Sequence, residues 1–132
     1  MDGSGVGVGG ALVLVVDDDL YVREVLVESL RERGHSVVAA GDGLEAVGVL
    51  RGRGVRVDLV VTDMEMPQMD GVALVRTLAA DPDLREVPVV LCSGHVDLEE
   101  VGAQLGVRTF AKSSRLTTLL DLVDELVCVH AG

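Results

Sequence analysis

The sequence predicts an α/β domain built on an open, doubly wound, five-stranded parallel sheet. Three observations carry that prediction. Short apolar runs alternate with helix-period segments five times without a break, the pattern of β–α units whose helices cover both faces of a parallel sheet. The apolar runs are near-continuous, as expected of strands buried on both sides. Five units in 132 residues are too few for a closed eight-fold barrel.

Residues 1–10, MDGSGVGVGG, read as a flexible Gly-rich leader, and residues 11–129 as one domain. Gly5, Gly7 and Gly10 fit the spacing G-x-G-x-x-G. A dinucleotide fingerprint follows a strand and opens a helix, whereas these glycines precede the first strand, so that reading is rejected.

Ala11–Val16 is an apolar run and the first strand. Val22, Val25, Leu26, Ser29 and Leu30 then recur at helical spacing, with Asp19 as N-cap and Gly34 as the stop. Ser36–Ala40 is a short second strand, and a helix carrying Leu44, Val47 and Leu50 follows, capped by Asp42. Asp58–Asp63 is the third strand, and MEMPQMDG is a loop broken by Pro67 and Gly71. Val72, Leu74, Val75 and Leu78 mark the third helix. DPDLREVP is a linker into a fourth strand, Val89–Cys92. Asp97 with Glu100 resembles a capping box for a fourth helix that ends near Gly106. Arg108–Ala111 is the fifth strand, and the last helix places Leu116, Leu119, Leu120, Val123 and Leu126 on one side.

Composition narrows the function. Apolar residues make up 48% and aromatic residues only 2%, so the core is aliphatic. The formal net charge of −11 argues against binding a nucleic-acid backbone, which needs clustered Lys and Arg, and against anionic membrane surfaces. Most of that charge serves solubility. Cys92 and Cys128 form no C-x-x-C motif and no disulfide framework, so a reduced, cytoplasmic setting is expected. Cys92, inside VPVVLC, reads as a small core residue. No apolar run approaches the ~20 residues of a membrane span, and no signal-peptide pattern opens the chain. His35 and His130 read as surface residues, and no metal-site spacing joins the three histidines.

Sites in such sheets lie at the carboxyl ends of the strands. That rule selects Asp17–Asp19 after strand one, Asp63 after strand three, Ser93–His95 after strand four and Lys112 after strand five. In the flavodoxin-like order 2-1-3-4-5, strands one and three are neighbours, so Asp17, Asp18 and Asp63 converge. Two carboxylates ~4 Å apart repel by about 4 kcal/mol at an effective dielectric near 20. A shared proton, a positive partner or a divalent cation must offset this, and hard oxygens suit Mg²⁺. Carboxylates, a metal, a lysine and a hydroxyl are what phosphoryl transfer needs, and one carboxylate can be the nucleophile.

The segments VVDDD, VVTDMEMPQMDG, VVLCSG and FAK, in this order and spacing, resemble the receiver domains of two-component response regulators. The resemblance runs from Ala11 to about Val127. It implies that Asp63 accepts a phosphoryl group from a histidine on a sensor kinase or a histidine phosphotransfer protein. It also implies that Asp17, Asp18, Asp63 and the backbone carbonyl of Glu65 hold Mg²⁺ or Mn²⁺, Asp18 directly and Asp17 mainly through water. Ser93 would hydrogen-bond the phosphoryl group and shift when it arrives, and Lys112 would pair with a phosphoryl oxygen. Asp19 would be a cap. The signal would leave through the face of helix four, strand five and helix five, toward a downstream protein or output domain. Glu65 and His95 lie at positions that in this family border the phosphoryl site.

Two departures stand out. Ser113 follows Lys112 where the family usually has a proline, often cis. A non-proline cis bond costs about 3 kcal/mol, so a trans or differently shaped turn is expected. The switch aromatic usually lies three residues before the lysine, which is Thr109, while Phe110 is one place later. Neighbouring strand residues point to opposite faces. Either Phe110 is the switch on an altered strand, or Thr109 takes the position without an aromatic. The main expectation is a phosphorylatable receiver, either stand-alone or part of a larger protein, without a DNA-binding region of its own. The alternative is an interaction module on the same fold that works without phosphorylation. An independent hydrolase is disfavoured, because no substrate pocket or lid is evident in the sequence.

Overall fold

The computed structural model describes residues 11–131 apart from Arg53, Pro67, His95 and Val96, with side chains as far as Cys128. The leader, the Pro67 breaker, His95 and the His130 side chain therefore lie outside the described residues. The elements run β1 (Leu12–Val16), α1 (Leu20–Glu32), β2 (Ser36–Ala40), α2 (Gly43–Leu50), β3 (Leu59–Asp63), α3 (Gly71–Ala80), β4 (Val89–Ser93), α4 (Leu98–Leu105), β5 (Arg108–Ala111) and α5 (Leu116–Ala131). All five strands form one parallel sheet in the order β2-β1-β3-β4-β5.

Period-two alternation along the strands divides the core in two. Val13, Val15, Val61, Val90 and Cys92 face α1 and α5, where they meet Leu26, Leu30, Leu119 and Val123. Leu14, Val16, Val60 and Val89 face α2 and α3, where they meet Ala46, Leu50, Leu74 and Leu78, with α4's Leu105 packed alongside. Each such buried Val or Leu contributes roughly 1.5–3 kcal/mol relative to exposure. The sheet is thus sealed on both faces, and only its rims are open for chemistry.

Aspartates start three of the helices. Asp19 accepts from the Val22 N–H at 3.2 Å, Asp42 from Glu45 N–H at 2.9 Å and Asp70 from Ala73 N–H at 2.8 Å. Each cap satisfies an orphan donor and is worth about 1 kcal/mol. Gly34 at φ +93° follows α1, and Gly106 at φ +73° ends α4.

Several expectations are corrected. The Asp97–Glu100 capping box does not form: Asp97 sits at φ −96°, ψ 16°, outside the extended conformation a cap needs, and its side chain makes no cap bond. Leu44 is 54% exposed, because α2 buries the Ala46–Leu50 stripe one step round the helix. Leu116 is partly exposed at the start of α5. β1 begins at Leu12 and β3 at Leu59, one residue later than expected, and there the Asp58 carboxylate accepts from the Leu12 N–H at 2.9 Å.

His35 is not a surface residue. Its side chain is 7% exposed and its Nε2 lies 2.7 Å from Asp124 Oδ1, while Arg33 reaches Asp124 at 2.6 Å and Asp121 at 3.0 Å. These contacts tie the end of α1 to α5. Burial pushes the Asp124 carboxyl up, but the bonds from His35 and Arg33 outweigh it and hold it below its ordinary value.

Candidate functional site

The site is assembled at the carboxyl rim, where register alone brings the acidic residues together. β1 and β3 pair as far as Val16 with Thr62, so Asp17 and Asp63 follow on adjacent strands. Asp17, Asp18 and Asp63 each offer an oxygen within 4.8 Å of the others. The predicted convergence is therefore present.

Asp17 is 3% exposed and held from several sides. Its N–H donates to Ala40 O at 3.1 Å, its carbonyl accepts from Arg23 Nη1 at 2.8 Å, and its Oδ1 accepts from the Asp19 N–H at 2.9 Å. Burial raises its carboxyl above the ordinary value; the Asp19 N–H and Lys112 act against that, and Asp63 and Asp18 add to it. Asp18 is exposed.

Lys112 reaches into this cluster from the end of β5. Its Nζ lies 3.1 Å from Asp63 Oδ1 and 3.8 Å from Asp17 Oδ2. Burial works to lower its pKa, but the Asp63 hydrogen bond and the charges of Asp63 and Asp17 outweigh this and raise it. The lysine is aimed without a proline. Its own N–H donates to Ser93 O at 2.9 Å, extending the β4–β5 ladder, and Ser114 N–H closes the turn onto Ala111 O at 2.9 Å. No cis peptide occurs among the described residues. Ser93, 2% exposed, ends β4 at the same rim.

The loop after Asp63 is pinned to its surroundings. Met64 N–H donates to Cys92 O at 2.8 Å, Gly71 N–H to Met64 O at 2.9 Å and Gly43 N–H to Met69 O at 3.0 Å. A Cβ on Gly71 would fall on the Asp63 carbonyl oxygen, so the loop closes only around glycine. Glu65 lies exposed within it. Cys92, behind the site, is fully packed, and burial pushes its thiol up to about 12, which leaves it inert as a nucleophile.

The two switch candidates occupy opposite faces. A Cβ on Gly102 of α4 would land on the Thr109 methyl, so Thr109 faces α4. Phe110 joins the core under α1 and α5. It borders a cavity of about 320 Å³ that also touches Asp17, Asp63 and Lys112. It borders a second cavity as well, of about 520 Å³, on the α4–β5–α5 side. Tyr21, 78% exposed in the first turn of α1, stands at the mouth of the smaller one.

Ionised, three carboxylates and one ammonium leave two negative charges in the cluster. That excess and the all-oxygen donor set fit a divalent cation of the Mg²⁺ type. Arg23 and His35 are among the polar residues whose contacts the sequence did not disclose.

Residues 13–124 match the response regulator receiver domain family, and the chain belongs to that family, the receiver domains of two-component signalling. It is 33% identical over 118 residues to the chemotaxis protein CheY-3 of Vibrio cholerae, covering 86% of this chain and 89% of that protein. It is 39% identical over 90 residues to the sensor kinase CckA of Brucella abortus, covering 67% of this chain but only 9% of the kinase. The signal receiver domain of a signal transduction histidine kinase from Syntrophus aciditrophicus superposes with a TM-score of 0.81 at 32% identity, covering 90% of this chain and 91% of that one. Among the described residues, no helix is long and apolar enough to cross a membrane.

Proposed function

We propose that residues 11–129 form a phosphoacceptor domain that takes a phosphoryl group onto Asp63 from a phosphohistidine of a sensor kinase or a histidine phosphotransfer protein. The observation that carries this reading is the Lys112 ammonium, 3.1 Å from Asp63 and 3.8 Å from Asp17, within a cluster of three carboxylates. An Asp63 oxygen attacks phosphorus, the P–N bond to the donor imidazole breaks, and the imidazole leaves with the bonding pair. Hydrolysis of the resulting acyl phosphate restores Asp63. The domain thus catalyses only its own phosphorylation and dephosphorylation. A bound Mg²⁺ or Mn²⁺ would neutralise charge on the phosphoryl oxygens, held by Asp17, Asp18, Asp63 and the Glu65 carbonyl. Lys112 pairs with a phosphoryl oxygen as Asp63 gives up its own ion pair, and the Ser93 hydroxyl donates to another.

The output in this reading is a change of the α4–β5–α5 face, read by a downstream protein or output domain. Thr109 holds the family's switch position against α4, while Phe110 lies in the core on the other face of a regularly paired strand, which favours the reading in which Thr109 takes the position without an aromatic. Two free cysteines fit a reducing, cytoplasmic setting.

Incubation with Mg²⁺ and acetyl phosphate or phosphoramidate tests the reading. The expected product carries one base-labile phosphoryl group, lost in Asp63→Asn. A folded wild type that gains no mass would leave the phosphate-independent interaction module instead.

A further inference from the structure

We propose that Arg23 is a positioning residue for the acidic pair, with Gly41 leaving room beside its guanidinium. This rests on reading Asp17 and Asp18 as a metal site.

Arg23 sits in the first turns of α1, its own N–H bonded to Asp19 O at 2.9 Å. Its side chain runs back toward the helix start, and Nη1 donates to the Asp17 carbonyl at 2.8 Å. On the other side of Asp17, the N–H is fixed by Ala40 O at 3.1 Å. Both peptide planes around Asp17 are therefore held. The plane that contains the Asp17 carbonyl also contains the Asp18 nitrogen, so the Arg23 bond helps set the direction in which Asp18 leaves the chain, together with the Asp19 N–H bond to Asp17 Oδ1. Asp18 is exposed, and packing does not supply that direction. The cation whose charge acts on the Asp17 carboxyl is Lys112; Arg23 acts on the backbone.

Gly41 belongs to the turn between β2 and α2. Its φ is not in the left-handed region, so its backbone would accept any L residue. Space beside it is limited. A Cβ there would stand 3.3 Å from Arg23 Nη1 and 3.4 Å from Glu45 Oε1, and Glu45 Oε1 already accepts the Gly41 N–H at 2.7 Å. A Cβ alone asks the guanidinium to give by a few tenths of an ångström, and the two methyls of a valine crowd it further.

Calorimetric titration of the full chain with Mg²⁺ decides this, with thermal midpoints measured alongside. Arg23→Met is expected to weaken Mg²⁺ binding about tenfold, the usual effect of losing a partner that orients ligands, and Arg23→Lys to recover part of it. Gly41→Val should weaken binding in the same direction while keeping the arginine. The double variant should bind no worse than Arg23→Met alone, since both changes break one contact. Gly48→Ala, which meets open space on α2, is the control. Unchanged affinity in Arg23→Met would overturn the proposal. Additive losses in the double variant would overturn the role given to Gly41. If Arg23→Met does not fold, Arg23→Lys decides in its place: unchanged affinity overturns the proposal and weakened affinity upholds it. A wild type that binds no Mg²⁺ would overturn the metal reading and this one with it.

Discussion

The Lys112 ammonium stands 3.1 Å from Asp63 Oδ1, spanning from the end of β5 to the end of β3. A lysine in that position competes with any metal for the carboxylates and offers its charge to whatever anion arrives. The two roles can be separated. Lys112→Met is expected to tighten Mg²⁺ binding severalfold, the equivalent of ~1 kcal/mol of relieved charge competition. The same variant should lose at least about tenfold in the rate of phosphoryl incorporation, because one stabilising donor is gone. Calorimetry reads the first and a mass-based time course the second; weaker Mg²⁺ binding would contradict the assignment.

Asp17 is expected to make the metal-free protein less stable at neutral pH. Burial raises its carboxyl above the unfolded value, so in that window the folded state binds more protons than the unfolded one. Stability from this group therefore falls as pH rises through the raised pKa. Asp17→Asn without metal should raise the thermal midpoint at pH 7 by about 3–5 °C, the equivalent of ~1 kcal/mol in a domain this size. The gain should shrink as the pH falls below the unfolded value of 3.8. Mg²⁺ should stabilise the wild type but much less the variant.

Asp124 has the opposite sign. Its carboxyl is held below the ordinary value by His35 and Arg33 against the effect of burial, so its contribution is present above pH 3.8 and is lost as pH falls through the lowered pKa. Asp124→Asn should reduce the midpoint at pH 7 by about 1–3 °C, a small change because the carboxylate is partly exposed. Well below the lowered pKa the two proteins should melt together. A deficit that persists there would point to lost packing instead.

α4 rests on β5 through Gly102 and Thr109. A Cβ on Gly102 would fall on the Thr109 methyl and stand 3.2 Å from Val107 O. Gly102→Ala is expected to cost about 1–3 kcal/mol in denaturant unfolding, the usual penalty for overpacking. Thr109→Ala in the same chain should recover part of it, as contacting residues do in a double-mutant cycle. Purely additive losses would mean that Thr109 is not the group in the way.

The fold was legible because its signals are local and repeated. Apolar runs such as Val13–Val16, aspartates before helices, and Gly34 and Gly106 after them each report a nearby backbone need. The convergence of Asp17, Asp18 and Asp63 was legible too, because strand-end position follows from topology. Three features were not. His35 meets Asp124 across 89 residues, and nothing near either residue announces the partner. Arg23 looks like any exposed helix cation until the β1–α1 turn brings the Asp17 carbonyl within its reach. Asp97 has the spacing of a cap, but its backbone angles keep its carboxylate from the helix.

Tyr21 carries one more consequence. The chain has no tryptophan and a single tyrosine, and that ring stands exposed at the mouth of the cavity that touches Asp17, Asp63 and Lys112. Tyrosine emission from this protein therefore originates at one place, beside the acidic cluster. An ion or phosphoryl group entering that cluster is expected to alter this emission in the unlabelled, unmutated chain.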